Sequence, residues 1–259
     1  MAWREKSNYM IQSVSHALDV LEQFQGDADE IGVTELSKKL KLHKNNVFRL
    51  LATLEARGYI EQNKLTENYR LGLRCLQLGQ NYVQRMGILS QAKSTLQELA
   101  KGAKESSFVA VRKGSFIIPL DFVETQNAVR VVSLLGGTLP LHCTAAGKVY
   151  LAFDSEKGWE QNLPEHLQRY TDKTIVDRRL LTGQLKEINE SGYALEQGEF
   201  MEDVVSVAVP IRDYRRALVG TLAIIGPAHR LNGERIQKET VPLILKGGTE
   251  LSKRLGYQP

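Results

Sequence analysis

The sequence predicts an α+β protein with two domains, and three features of the chain lead to this prediction. Its 259 residues are more than one ordinary domain contains and are comfortable for two. The first third shows helical periodicity followed by a hairpin pattern, whereas the rest alternates β-rich runs with helices. We therefore expect a winged helix-turn-helix over residues 8–72, a linker helix over 73–86 and a larger α+β domain over 87–259.

The first helix is predicted from an apolar pattern near the N-terminus. Apolar residues recur at spacings of three and four positions at Ile11, Val14, Ala17, Leu18 and Leu21. This spacing places side chains on one side of a helix, where they can pack against a core. Gly26 and the acidic segment after it are expected to end the helix.

The second and third helices follow from the next two apolar patterns. Thr34 can cap the start of a short second helix with its hydroxyl, and Leu36 and Leu40 then share one face. After the polar turn LKLHKNN, the third helix runs from Lys44 to about Arg57. Its apolar stripe consists of Val47, Leu50, Leu51 and Leu54.

A short hairpin is predicted after the third helix. Tyr59 and Ile60 begin a strand, residues 62–67 form a polar turn, and Tyr69 to Leu71 return as a second strand. The order of helix, turn, helix and hairpin is that of a winged helix-turn-helix.

Charge is unevenly distributed along this first domain. The formal net charge of the whole chain, +4, is too small to indicate a polyanionic partner by itself. Between Glu35 and Glu55, however, the Lys, Arg, Asp and Glu positions are all basic, and they are Lys38, Lys39, Lys41, Lys44 and Arg49. Such a helix face is often merely solvated, but its place in a helix-turn-helix favours DNA binding. Asparagine pairs well with adenine and arginine with guanine, which makes Asn45, Asn46 and Arg49 candidates for reading bases.

The rest of the chain has an α+β pattern. Five β-prone runs are Phe108 to Val111, Phe116 to Phe122, Val129 to Leu134, Val204 to Ile211 and Leu218 to Ile225. A closing amphipathic helix that can cover a sheet is indicated by Val241, Ile244, Gly248, Leu251 and Leu255. The linker helix is predicted from Leu76, Gly79 and Val83.

The sequence gives little support for catalysis. GGTLPLHCTAAGK is not a phosphate-binding loop, because His142 and Val149 stand where that motif needs Gly and Ser or Thr. Cys143 is better interpreted as a buried cysteine than as a nucleophile. An acidic run without histidine favours a solvated loop with one inward acid over a metal site, and it consists of Glu196, Glu199, Glu202 and Asp203.

The composition predicts a cytoplasmic protein. The two cysteines form no CxxC pattern, the N-terminus lacks the apolar core of a signal peptide, and no apolar run is long enough to span a bilayer. We expect no metal and no cofactor.

Three sequence blocks occur in order along nearly the whole chain. The first is VTELSKKLKLHKNNVFRLLATLEARGYIEQ, followed by YRLG at Tyr69 to Gly72. The second is GGTLPLHCTAAGKVYLA, and the third is TDKTIVDRRLLTGQLKEINESGYALEQGEF, followed by VAVPIRD. Together they resemble the helix-turn-helix, the Thr-Ala-x-Gly-Lys signature and the third block of the IclR (isocitrate lyase regulator) family of bacterial transcription regulators.

The resemblance implies a regulator that binds double-stranded operator DNA and a small-molecule effector. Its C-terminal effector-binding domain would be GAF-like, with a central antiparallel sheet flanked by helices, and the protein would form homodimers or dimers of dimers. The implied base-reading residues are Lys44, Asn45, Asn46, Phe48 and Arg49. The implied phosphate contacts are Thr34, Ser37, Lys64 and Arg70.

The resemblance also implies a set of effector contacts. They are Ala128, Val131, Cys143, Thr144, Ala145, Ala146, Glu196, Val204, Ser206, Ala223 and Ile225. With the amides at the start of the following helix, Thr144 would receive the anionic group of a carboxylate-bearing or aromatic catabolite.

This chain departs from the family pattern at several positions. His16 stands where arginine is common, Ser206 where cysteine is common and Asp203 where glycine is common. Ala223 and Ile225 replace small hydroxyl residues, which weakens the prediction of a very polar ligand, because a buried ligand oxygen without a partner costs roughly 1–3 kcal/mol.

Two other interpretations remain open. One is a small-molecule enzyme with an N-terminal dimerisation domain, although the sequence shows no convincing set of nucleophile, base and orienting residue. The other is a winged helix that makes only protein contacts.

Overall fold

The computed structural model describes residues 10–25, 29–85, 87–153 and 163–258. They form two compact units, the first of which ends at Arg85. The elements of the first unit are α1 (Gln12–Glu22), α2 (Val33–Leu40), α3 (Lys44–Ala56), β1 (Ile60–Gln62), β2 (Tyr69–Leu71) and α4 (Leu73–Arg85). This is the order predicted for a winged helix-turn-helix followed by a helix.

The core of the first unit lies between α1, α2, α3 and the hairpin. Its buried apolar residues are Val20, Phe24, Ile31, Leu36, Val47, Leu51, Leu54, Ile60 and Tyr69. Most of the stripe predicted for α3 is among them. Because this stripe faces inward, the opposite side of α3 faces solvent.

The apolar face predicted for α1 is wrong in part. Val20 is the fully buried residue of this helix, whereas Ile11 is 66% exposed and Val14 and Leu18 are exposed as well. The helix carries two overlapping apolar stripes, and periodicity alone does not reveal which of them packs on its neighbours. The residue expected to end the helix, Gly26, lies outside the described residues.

The start of α2 also differs from the prediction. Gly32 occupies the N-cap position, and no side-chain hydrogen bond caps this helix. Thr34 is the second residue of the helix, where its backbone no longer has the extended conformation that a capping residue needs. At the other end, Lys41 adopts a left-handed conformation with a φ of 54°, which turns the chain toward α3.

Glycine closes the hairpin for a steric reason. β1 and β2 pair antiparallel with Ile60 opposite Leu71. A Cβ atom on Gly72 would lie 2.4 Å from the carbonyl oxygen of Gly58. The final glycine of the YRLG motif is therefore required by close backbone contact.

The second unit is an antiparallel sheet with helices on both faces. Its elements are α5 (Gly87–Ala103), β3 (Ser106–Lys113), β4 (Phe116–Val123), β5 (Leu139–Pro140), α6 (Ala145–Phe153), α7 (Arg178–Ser191), β6 (Ala194–Gln197), β7 (Val204–Arg212), β8 (Leu218–Pro227), α8 (Gly233–Arg235), a π-helical turn (Ile236–Thr240) and α9 (Val241–Arg254). The strand order is β5-β4-β3-β8-β7-β6, and every neighbouring pair is antiparallel.

Side chains of the sheet alternate between two apolar layers, as the two-residue period of a strand requires. In β8, Leu222 and Ile224 belong to the layer that also contains residues of α5 and α9. Ala223 and Ile225 belong to the layer that contains residues of α6 and α7. The closing helix α9 thus covers the sheet as predicted. In the described ranges, no helix combines the length and apolarity needed to cross a membrane.

The strand predicted over Val129 to Leu134 does not form. The chain from residue 124 to residue 138 has no regular secondary structure. Within it, the carbonyl oxygens of Val129 and Val131 accept hydrogen bonds from the side chains of Arg230 and Ser106 rather than from a neighbouring strand. β-Branched residues favour an extended chain, but a strand also needs a backbone partner.

Candidate DNA-binding and effector sites

The exposed face of α3 carries the residues predicted to read bases. Lys44, Asn45, Asn46, Phe48 and Arg49 are all exposed, and Phe48 is 58% exposed despite being aromatic. The helix positions them by burying Val47, Leu51 and Leu54 on its other side. The result is one helix face that presents two amides, two cations and an aromatic ring to solvent.

A groove of about 710 Å³ runs between α1 and α3. Asn46, Phe48 and Arg49 line its α3 side, and Ser13 and His16 line its α1 side. The groove gives the exposed face of α3 a concave flank with polar groups from two helices.

The four predicted phosphate contacts differ in exposure and in the bonds that they already make. Thr34 and Lys64 are exposed. Arg70 is exposed too and forms a 3.3 Å ion pair with Glu61, which is weak enough at a surface to be exchanged for a phosphate. Ser37 is half-buried, and its hydroxyl donates to the Leu42 carbonyl oxygen at 2.6 Å, so its proton is already used inside the turn.

Sequence analysis did not predict one residue that holds the wing in place. The carboxylate of Glu30 accepts hydrogen bonds from Asn63 Nδ2 and Thr66 Oγ1, both at 2.7 Å. The hydrogen bond from Asn63 is the main reason that the pKa of Glu30 lies below its usual value. Glu30 lies more than thirty positions before these partners, so no local pattern indicates the contact. At the wing tip, Leu65 is 95% exposed.

In the second unit, a row of residues crosses three strands beneath the start of α6. Glu196 of β6 pairs with Ser206 of β7, which pairs with Ile225 of β8. Ala223 belongs to the next row on the same face, opposite Ala208. The structure therefore brings four of the predicted effector contacts together on one face of the sheet, and all four are buried.

The start of α6 covers this face, and Thr144 caps it. The Thr144 hydroxyl donates to the Pro140 carbonyl oxygen at 2.6 Å and accepts from the Gly147 amide at 3.1 Å. The amides of Ala145 and Ala146 form no hydrogen bond with any described residue. These two buried amides, rather than the threonine hydroxyl, are the donors that α6 leaves open.

Glu196 is the acidic group of this face. Its side chain is nearly enclosed, with 3% of the residue exposed, and its Oε1 accepts the amides of Glu199 at 2.5 Å and Phe200 at 3.3 Å. Burial raises the pKa of the Glu196 carboxyl to about 7, while the two amides oppose the shift. No described residue hydrogen-bonds its Oε2.

Cys143 is fully buried, as the sequence predicted. Burial raises the pKa of its thiol to about 12, so it is not a thiolate nucleophile at neutral pH. Burial also lowers the pKa of His142, whose Nε2 lies 2.9 Å from the Gln168 carbonyl oxygen. Within the described ranges, no three His, Cys, Asp or Glu side chains cluster so as to hold a metal ion.

The prediction of one inward acid in the acidic run is wrong, because Glu199 is buried beside Glu196. Its carboxylate accepts a hydrogen bond from Lys148 of α6, which is completely buried. A lysine within the apolar helix AAGKVYLAF could have indicated such a partner, because a buried ammonium needs an acid. Glu202 and Asp203 are exposed, as expected of a solvated loop.

Of the three remaining predicted effector contacts, two lie at the edges of this region. Val131 and Val204 are partly buried against the α6 and α7 layer. Ala128, in contrast, is exposed and does not belong to that cluster. The candidate site thus has an apolar surround, two open amides and one carboxyl group.

Comparison with known protein families matches both units. Residues 13–64 match the IclR helix-turn-helix domain, and residues 80–253 match the C-terminal domain of bacterial transcriptional regulators of the IclR type. Together these matches span most of the chain, and this family consists of transcription regulators rather than enzymes.

Individual proteins are similar over nearly the full length. The HTH-type transcriptional regulators XynR and KdgR of Escherichia coli are each 31% identical, over 96% and 95% of this chain and 98% and 94% of those proteins. The crystal structure of the Thermotoga maritima IclR protein is 26% identical with a TM-score of 0.79, over 96% of this chain and all of that one. This chain therefore belongs to the IclR family of DNA-binding transcription regulators with a C-terminal effector-binding domain.

Proposed function

We propose that this protein binds a specific operator through α3 and the wing, and that a hydroxylated carboxylate modulates this binding from the face beneath α6. The observation that carries the first part is the exposed face of α3, where Asn45, Asn46 and Arg49 stand in an acid-free stretch. We further propose that it acts in the cytoplasm, where the bacterial chromosome lies.

The residues around α3 divide into two roles. Asn45, Asn46 and Arg49 suit base edges in the major groove, since amides and guanidinium groups can bond bidentately there. Thr34, Lys44, Lys64 and Arg70 suit phosphate oxygens on either side, which fix orientation without reading sequence. Phe48 would contact a thymine methyl or a sugar.

A single winged helix reads few base pairs, so we propose that the protein binds as a homodimer or a dimer of dimers. Two copies of α3 would occupy half-sites about one helical turn apart, and the operator would then be a pseudo-palindrome. The effector would act only as far as it binds the DNA-competent and DNA-incompetent arrangements unequally.

The open hydrogen-bond donors and acceptors of the effector face support a ligand that has both a carboxylate and a hydroxyl group. The amides of Ala145 and Ala146 are donors at a helix N-terminus, and they suit a carboxylate. Ser206 already donates its proton to the Ile224 carbonyl oxygen, so its oxygen remains as an acceptor. Glu196 Oε2 is a second acceptor when ionised. A ligand hydroxyl would donate its one proton to either of these acceptors, and the apolar side chains would enclose the carbon skeleton of the ligand, either aliphatic or aromatic.

DNase footprinting on the regions upstream of the protein's own gene and its neighbours tests the operator assignment. We expect a protected, pseudo-palindromic site that is lost in Arg49→Ala. Lys238→Ala is a matched control, because Lys238 is an exposed cation in an ion pair of the second unit. If Arg49→Ala retains full affinity, the winged helix makes other contacts and the proposal is wrong.

A thermal-shift screen tests the effector assignment separately. The compounds would be glycerate, 4-hydroxybenzoate, benzoate and glycerol. We expect the hydroxylated carboxylates to stabilise the protein more than benzoate, which lacks a hydroxyl, and more than glycerol, which lacks a carboxylate. Stabilisation by glycerol alone would overturn the carboxylate assignment.

A further inference from the structure

An ion pair with a buried carboxylate lies at the end of the sheet, outside the sites described so far. Glu105 stands in the turn between α5 and β3, and its side chain is completely buried. Arg230 follows β8 and donates to both carboxylate oxygens, with Nε–Oε1 at 2.6 Å and Nη2–Oε2 at 2.8 Å. This bidentate geometry fixes the guanidinium plane more tightly than a single contact could.

The same guanidinium contacts the segment Val129–Val131 at the edge of the candidate effector site, which we call the wall of the site. Arg230 Nη2 also donates to the carbonyl oxygen of Val129 at 2.8 Å. Val129 lies in the irregular segment between β4 and β5, two residues before Val131, which packs against the apolar layer of the site. One arginine therefore joins a buried carboxylate to the backbone of the wall.

The irregular segment, residues 124–138, depends on such contacts. The Ser106 hydroxyl donates to the Val131 carbonyl oxygen at 3.3 Å. Thr125 Oγ1 and Asn127 Nδ2 both donate to the Lys104 carbonyl oxygen. These anchors come from Lys104 and Ser106, the two neighbours of Glu105 in the chain, and from Arg230. An irregular segment of this length without a strand partner takes its shape from such side-chain anchors.

A second arginine extends the connection to a helix end. Arg235 lies 3.6 Å from Glu105, and its Nη2 donates to the carbonyl oxygen of Ala103, the last residue of α5, at 2.6 Å. Its Nη1 donates to the Arg230 carbonyl oxygen at 3.1 Å. Along the chain, α5 begins directly after the linker helix α4.

The sheet leaves room for the buried carboxylate. A Cβ atom on Gly226 would lie 2.5 Å from Glu105 Oε2 and 2.7 Å from the carboxyl carbon. Gly226 has no positive φ that would itself call for glycine. The absence of a side chain at this position is thus explained by the place of the Glu105 carboxylate.

We propose that Glu105 and Arg230 are positioning residues of the effector site: they set the position of the wall at Val129–Val131 and join it, through Arg235, to the C-terminal end of α5. The identity of the site rests on the proposed function, but the connection itself does not. A ligand that displaces Val131 would move a backbone held by Arg230, and the displacement would pass to α5 through Glu105 and Arg235.

Hydrogen exchange of the free full-length protein tests this proposal without DNA or effector. The amide of Thr125 reports on this segment, because it is buried and donates to Ser106 Oγ, the same hydroxyl that donates to the Val131 carbonyl oxygen. In Arg230→Met we expect the Thr125 amide to exchange about tenfold faster, while the amides of β7 keep their protection. In Arg230→Lys, which retains the charge but not the bidentate geometry, we expect an intermediate rate.

Two further variants complete the test. Gly226→Ala, which displaces the carboxylate without removing it, should reproduce the local effect of Arg230→Met. Arg215→Met, which breaks the ion pair of an exposed arginine with the largely buried Asp213, should leave the wall unchanged. The proposal is overturned if Arg230→Met leaves the Thr125 amide protected, or if exchange rises equally in β7, which would indicate general destabilisation. It is also overturned if Gly226→Ala affects β7 but not the wall. Failure to find an operator or effector would not alter these outcomes.

Discussion

Lys148 of α6 donates a hydrogen bond to Glu199 in the turn after β6, and both side chains are enclosed by protein. The second carboxylate oxygen of Glu199 is buried without a partner among the described residues. The pair links the helix that covers the candidate effector face to the turn whose amides hold Glu196. The Lys148–Glu199 ion pair therefore helps to set the geometry of the candidate effector site.

We expect Lys148→Met to lower the free energy of unfolding by about 3–5 kcal/mol, because it leaves a buried carboxylate without its cation. The double variant Lys148→Met with Glu199→Gln should recover a large part of this loss, since neither buried charge then remains. Urea denaturation of both variants and the wild type measures the difference. If Glu199→Gln destabilises the Lys148→Met variant as much as it destabilises the wild type, the two residues do not act as a pair.

Glu196 should make stability depend on pH. Its pKa is raised from 4.5 to about 7 in the folded protein, so the folded state holds its proton more tightly than the unfolded state. The stabilisation is fully present below about pH 4.5 and is lost as pH rises through 7, with an upper limit of about 3 kcal/mol. Glu196→Gln, whose Oε1 can still accept both amides, should flatten this part of the pH profile.

Urea denaturation between pH 5 and pH 8 checks this prediction. The exposed acid Glu202 in the same run offers the control variant Glu202→Gln, which should keep the profile of the wild type. Parallel pH profiles for wild type and Glu196→Gln would show that the carboxyl is already ionised at pH 5.

Gly147 should tolerate no side chain. A Cβ atom there would lie 2.3 Å from the carbonyl oxygen and 2.5 Å from the Cα of Leu141, which are backbone atoms that cannot easily move. We expect Gly147→Ala to destabilise the protein by more than about 3 kcal/mol through overpacking. Gly183 in α7 has open space around its Cα, so Gly183→Ala should stabilise by about 0.5–1 kcal/mol. Thermal unfolding of the two variants, expected to shift in opposite directions, distinguishes local sterics from a general sensitivity of glycines.

How far sequence predicts this structure depends on the range of the interactions involved. The apolar stripe of α3, with Val47, Leu51 and Leu54, was predictable because helical periodicity is a local property. The buried face of α1 at Val20 was not, because the choice between two apolar stripes is made by α2 and α3. The strand expected around Val129 and Val131 failed for a similar reason, since it lacks a backbone partner.

The candidate sites show the same division. Motif resemblance placed Glu196, Ser206 and Ile225 in one set, and strand register brings them into one row. The contacts of Glu30 with the wing and of Glu105 with Arg230 join residues far apart in sequence. A buried carboxylate is hard to recognise from sequence when its partner is more than a hundred positions away.

The two roles proposed for the DNA-binding residues should separate in their salt dependence. Lys64 is an exposed cation of the wing turn, and a phosphate contact contributes about one unit to the slope of log K against log salt. Lys64→Ala should therefore lower the slope by about 1 for each bound copy and weaken operator and random DNA alike. Asn46→Ala should leave the slope unchanged and lose about 1–3 kcal/mol of discrimination for the operator.

Fluorescence anisotropy with an operator duplex and a scrambled duplex, at several salt concentrations, measures both quantities. Because basic and acidic residues balance in the first 72 positions, the total slope should be smaller than that of a strongly basic DNA-binding domain. A Lys64→Ala variant that loses discrimination but keeps its slope would reverse the assignment, since the wing would then read bases. Equal effects of Asn46→Ala on both duplexes would show that α3 contacts only the backbone.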